Sequence, residues 1–104
     1  MTGSDLVVGP AVVREAVRHA VVDVPGVVRI GRSGGPLRRH LGGSSLTVRL
    51  RGPWVDARVT IVARPGLALP ALTDHVRAAI VAALERQLGL VPGEIIVSVD
   101  GVGA

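Results

Sequence analysis

The sequence predicts a small α+β domain in two layers, with two helices packed on one face of a small mixed β-sheet in the order α-β-β-β-α-β. Three observations predict it. Apolar residues recur at intervals of three and four before Pro25 and again after Pro70, the spacing of one helix face. Between these stretches they alternate with polar residues, the period of a half-buried strand. A helix then separates the third strand from the last, so the final strand can return parallel to the third through a crossover. The 104 residues form one domain, 1–104, with no internal repeat.

Residues 1–5 are expected as a loose start, and Leu6, Val7 and Val8 as a very short strand before Gly9 and Pro10. From Pro10, a residue suited to a first helical turn, Val13, Ala16, Val17, Ala20, Val21 and Val24 fall on one face, with Arg14, Glu15, Arg18 and Asp23 on the other. Pro25 cannot continue a helix, and Gly26 can take the left-handed conformation that satisfies the last helical carbonyls. Pro25 and Gly26 are therefore the predicted hinge from helix to strand, with Gly26 at positive φ.

Residues 27–32 read as a strand that enters an Arg- and Gly-rich loop over 31–44. Leu46, Val48 and Leu50 then alternate with Thr47, Arg49 and Arg51. After a turn at Gly52 and Pro53, Val55, Ala57, Val59, Ile61 and Ala63 alternate with Trp54, Asp56, Arg58, Thr60 and Arg64, and the two strands are expected to pair as a hairpin. From Pro70, Leu72, Val76, Ala79, Ile80, Ala83, Leu84 and Leu88 form the longest apolar helical stripe in the chain. Gly89 marks its end, Pro92 and Gly93 its exit, and Ile95, Val97 and Val99 a final strand. Val13, Val17, Val21, Val59, Ile61, Val76, Ile80, Leu84 and Val97 are expected to form one core.

Composition narrows function mostly by exclusion. With 48% hydrophobic and 19% charged residues, the chain can bury a core. That core has a single Trp and no Phe or Tyr, which leaves almost nothing on which to stack bases or sugars. All twelve basic residues are Arg, and the formal charge of +4 attracts polyanions without specifying one. No cysteine is present, so thiol catalysis and thiolate metal sites are excluded, and a cytoplasmic location is expected. No run is long enough to cross a membrane, and direct membrane insertion is not expected.

Neither the side chains of catalysis nor those of metal binding form a pattern. His19, His40 and His75 are far apart in sequence and are expected at the surface or its boundary. The eight acids are scattered among arginines, and the serines lie outside any nucleophile-elbow pattern. No enzyme, metal or cofactor is expected. One stretch suggests a ligand. Ile30-Gly31-Arg32-Ser33-Gly34-Gly35-Pro36-Leu37 matches the short loop with which a KH module clamps a nucleic-acid backbone, and Gly31, Arg32, Gly34, Arg38 and Arg39 are the residues that would serve it. In KH modules that loop joins two helices, whereas here it follows a strand. The plainer reading is a hairpin loop with solvated arginines, giving at most weak polyanion binding that fades with salt.

Four marks in order and spacing carry a further reading: a helix ending in Asp23-Val24-Pro25-Gly26-Val27, a hairpin entering Val55-Asp56-Ala57-Arg58-Val59-Thr60-Ile61-Val62, a long helix, and the ending Val97-Ser98-Val99-Asp100-Gly101-Val102. Over nearly its whole length the chain resembles the alkaline shock protein family, the small Gls-type general-stress and envelope stress-response proteins of bacteria. The resemblance implies a non-catalytic cytoplasmic protein that self-associates, or is held at the inner face of the membrane by a membrane-anchored relative. The chain departs from that pattern in its Arg- and Gly-rich loop and at Pro65-Gly66. The expected interaction residues are Trp54, Arg49, Arg51, Arg58 and Arg64, on the sheet face that the helices leave open. An open sheet edge is a second expected route, through backbone pairing with another copy.

Overall fold

The computed structural model of the chain describes residues 8–32 and 44–103, and over them the predicted order of elements holds. These are α1 (Pro10–Val22), β1 (Val27–Ile30), β2 (Leu46–Arg51), β3 (Trp54–Ala63), α2 (Leu69–Ala82) and β4 (Val91–Val102). The expected strand at Leu6 and Val7, and the loop residues Gly34, Arg38 and Arg39, lie outside the described residues.

The sheet is built around β3. Strand β4 runs parallel to it along one edge, while β1 and β2 both run antiparallel to it along the other. The sheet is therefore mixed, with β1 and β2 end to end on one edge. Thr60 is where they meet, because its carbonyl accepts from Gly31 N–H at 2.9 Å and its own N–H donates to Ser45 O at 2.8 Å. This corrects the hairpin-loop reading of 31–44. The chain leaves the edge at Gly31 and rejoins it at Ser45 in the same direction. It also places Gly31 in a sheet rather than between two helices.

The hinge forms, by a different route from the one expected. The last turn of α1 is capped by the amides of Asp23 and Val24, which donate to the carbonyls of His19 and Val21. Gly26 caps nothing. Val27 N–H donates to Val24 O at 3.1 Å, so Pro25 and Gly26 are the central pair of a four-residue turn, with Gly26 at φ +100°. Pro at the second position and a positive-φ Gly at the third are the requirements of a type II turn.

Helix α2 continues into a single π turn, Ala83–Gln87. Its buried residues Leu72, Val76, Ile80 and Leu84 are spaced by four, slightly wider than the ~3.6 residues of an α-turn. The wider π turn keeps Leu84 on the sheet side as the stripe drifts. Strand β4 then begins earlier than expected, at Val91, and includes Pro92 and Gly93. An edge strand tolerates Pro92, since no neighbour on its outer side needs the missing N–H.

Both helices bury their stripes on the face of β3 that carries Val55, Ala57, Val59, Ile61 and Ala63. Of the nine expected core residues, eight are fully buried. The exception is Val97, which packs against the core from the edge strand.

Candidate interaction surface

The sheet face opposite the helices presents residues that alternate with this core. Trp54, 47% exposed, stands opposite Arg51 where β2 and β3 meet at their turn, and Arg49 and Arg58 follow along the two strands. The structure brings these four together. Arg64 does not join them, because it lies past the opposite end of β3, about 30 Å from Trp54 at the rise of a strand. Its N–H donates to Gly26 O, next to the hinge. Alternation had been extended one residue beyond the strand's end.

Nor is the face simply basic. Asp56, directly opposite Arg49, receives a two-pronged contact from Arg51, with Nε to Oδ2 at 2.8 Å and Nη2 to Oδ1 at 2.9 Å. The same Oδ1 accepts the backbone N–H of Glu94 at 2.9 Å, so one carboxylate joins β2, β3 and β4. Hydrogen bonding from Arg51, then from the Glu94 amide, lowers the Asp56 pKa from 3.8 to about 2. Gly93 makes this possible. A Cβ there would overlap Asp56 Oδ1 and stand 3.1 Å from Arg51 Nη2. Arg49 and Arg58 are left without a hydrogen bond or ion pair among the described residues, lining a shallow recess of about 200 Å³ with Thr47, Glu94 and Ile96.

Two results follow for the sheet. Because the folded pKa of Asp56 lies below its ordinary value, its contribution to stability is present above about pH 4 and is lost as pH falls through about 2. Asp56→Asn is expected to lower stability at neutral pH and to flatten the acid limb of a stability-pH profile between those values. An unchanged limb would show that Asp56 is solvated like any surface carboxylate. Gly93→Ala is expected to push the carboxylate off the Glu94 amide, which would appear as faster hydrogen exchange at that amide.

A larger concavity lies on the helix side. Between the end of α1 and the start of α2, a groove of about 620 Å³ is lined by Ala20, Val24, Pro25, Leu67, Ala71 and Leu72, with Asp23 and His75 beside them. No periodicity in the sequence announced it, since it depends on how the Val24-Pro25 turn faces Leu67. His19 sits on the outer face of α1, 3.2 Å from Glu15. Among the described residues no three His, Cys, Asp or Glu side chains come together as metal ligands, and no helix is long and apolar enough to cross a membrane.

Of the alternative nucleic-acid residues only Gly31 and Arg32 are described. Arg32 departs from the expectation of solvated arginines: its side chain is half-buried, its carbonyl accepts from Arg29 Nη2 at 3.2 Å, and its Nε is shielded from solvent without a partner among the described residues.

No protein-family model matches the chain, and no curated protein matches it in sequence. Solved structures do match in fold. A single-substitution variant of the MamM C-terminal domain aligns at 19% identity and a TM-score of 0.57, over 88% of this chain and 95% of that one. A zinc form of another variant aligns at 18% and 0.59, over 90% and 87%, and a nickel form at 18% and 0.58, over 89% and 99%. At these identities the likeness is one of fold, and it covers nearly the whole of each chain.

Proposed function

We propose that this chain is a non-catalytic association module of the alkaline shock type, which self-associates or docks to a membrane-anchored relative through its uncovered sheet face. The observation that carries the reading is the asymmetry of the sheet, in which both helices cover one face and the other is left to Trp54, Arg49, Arg51 and Arg58. Trp and Arg are the residues in which binding energy concentrates at protein interfaces. The Arg51–Asp56–Glu94 linkage supports the reading, since it holds that face rigid across three strands before any partner arrives.

Light scattering across a concentration series tests it, with Trp54→Ala and Arg58→Glu combined in a second sample. The parent is expected to gain mass with concentration and the double variant to gain less. A parent that stays monomeric, and that recovers no partner from its native cells that the double variant loses, would end the proposal. Nucleic-acid binding has weaker support, because Gly31 is tied to Thr60 in the sheet, outside the helix-loop-helix setting that a backbone clamp needs. RNA is expected to bind weakly, without base selectivity, and to dissociate as salt rises. Tight base-selective binding at physiological salt would reverse the ranking.

A further inference from the structure

The two edges of the sheet differ in how they are protected. Strand β4 is defended along its length. Pro92 offers no amide hydrogen, register shifts interrupt the pairing with β3 between Pro92 and Ile95 and again between Val99 and Gly101, and Arg77 reaches from α2 to donate through Nε to the Ile95 carbonyl at 3.3 Å. Proline, bulges and a charge laid over an edge are the means by which sheets discourage strand addition.

Strand β2 has no proline and no bulge, and a charge reaches only its start, where Arg14 of α1 donates through Nη2 to Ser44 Oγ at 3.2 Å. All six of its residues pair with β3 without a register shift. Because Ser45 O accepts from Thr60 N–H, the odd-numbered residues turn their backbone groups toward β3, and Leu46, Val48 and Leu50 turn theirs away from it. Leu46 has a substitute partner, since Ser44 Oγ accepts its N–H at 3.4 Å and donates to its carbonyl at 2.8 Å, as a neighbouring peptide would. Val48 and Leu50 have no such substitute among the described residues, and no described strand lies on that edge.

The structure assigns the outer edge of β2 as the site where a second copy of this chain adds its own β2, antiparallel, about a two-fold axis at Val48. The sequence of the strand selects both the occupant and the register. Backbone pairing on this edge requires even-numbered residues to face even-numbered residues. Centred on Val48, Val48 meets its counterpart, Leu46 meets Leu50 of the second copy, whose peptide takes the place of Ser44 Oγ on the Leu46 backbone, and Thr47 meets Arg49. Apolar residues then face apolar ones on the helix-covered side, and no like charges stand opposite. Centred on Arg49, two arginines face each other, and centred on Leu50, Arg49 faces Arg51 of the second copy. Centred on Thr47, no arginines meet, but Leu50 is left opposite Ser44, outside the strand. The Val48 register alone avoids both arginine pairings and keeps Leu46, Val48 and Leu50 opposite one another. It joins two sheets into one continuous sheet with the helices of both copies on the same side.

This inference rests on the association reading, but it places the contact on an edge rather than on the open face. The chain has no cysteine, so single-cysteine variants report directly on which residues meet. In the assigned register the two Val48 Cα atoms lie about 5.5 Å apart, within the range that a disulfide spans. Under mild oxidation of the full chain, Val48→Cys is expected to give a covalent dimer at least tenfold faster than Arg49→Cys on the same strand or Ile96→Cys on β4. Leu46→Cys and Leu50→Cys are expected to cross-link when mixed, and neither with itself. Circular dichroism of each variant confirms that it is folded. Equal rates for Val48→Cys, Arg49→Cys and Ile96→Cys, or a faster dimer through Ile96→Cys, would overturn the assignment. Adding Trp54→Ala and Arg58→Glu to Val48→Cys separates the two contacts. An unchanged cross-linking rate with unchanged association leaves the edge standing and removes the face. Loss of association in the double variant, with no preference for Val48→Cys, removes the edge and leaves the face.

Discussion

Truncation of Leu84 to Ala is expected to cost about 2–5 kcal/mol of unfolding free energy, and Ile80→Ala a similar amount. Both side chains are fully buried in the single core cluster, where α2 meets the sheet and α1. Leu84 lies in the π turn, and its carbonyl accepts the Leu90 N–H that closes the helix at 2.9 Å. The backbone around it is thus fixed from both sides, so the cavity left by truncation has little room to collapse. Urea titration should show a lower midpoint with an unchanged slope. A loss below about 0.5 kcal/mol, the size of an ordinary surface change, would mean that α2 presents a different face to the sheet.

Substitution of Gly26 is expected to be of the same order, about 2–5 kcal/mol for Val, from backbone strain and overpacking together. The turn holds φ at +100°, which a β-branched residue adopts only under strain. A Cβ would also stand 2.6 Å from Leu67 Cδ1 and 3.1 Å from Leu72 Cδ1. The second cause applies to Asn as well. Asn tolerates the left-handed region near +57°, but +100° lies well beyond it, and Asn carries the same Cβ toward Leu67 and Leu72. Gly26→Asn is therefore expected to be nearly as damaging as Gly26→Val, and Gly26→Ala to share most of the cost. A Gly26→Asn variant as stable as the parent would show that Leu67 moves aside freely and that the conformation alone matters.

What could be read from the residues was whatever depends on near neighbours. The stripes of α1 and α2 and the alternation of β2 and β3 are local periodicities, and they place eight of nine expected core residues correctly. The Pro25-Gly26 pair marks a boundary whatever its bonding, but a helix cap and a type II turn differ only in which carbonyl takes the bond. That choice is settled by the path of β1 along β3. In the sequence, the segment 31–44 between two strands reads as a hairpin loop. Only the partnership of Thr60 with both Gly31 and Ser45 shows that the flanking strands share one direction.

The candidate interaction surface was legible to the same depth. Alternation put Trp54, Arg49, Arg51 and Arg58 on one face, as found. It could not show that Arg51 is committed to Asp56, or that a glycine beside a proline serves a carboxylate 37 positions earlier rather than a turn. An acid at an outward position of the strand flanked by arginines was the available signal. The difference between the edges was also present in part, since Pro92 stands in β4 and no proline in β2. The placement of Arg77 over Ile95 required the helix to be docked.

Sedimentation equilibrium of the full chain, from micromolar to near-millimolar concentration at physiological salt, tests most directly whether the protein works by association through its sheet. A mass that rises from one chain toward two or more is expected, with the rise reduced by changes at Trp54 and Arg58 or at Val48, and left intact by Ala78→Cys, kept reduced, on the exposed side of α2. A single-chain mass over the whole range, in the presence of extract from its native cells as well as alone, would contradict it.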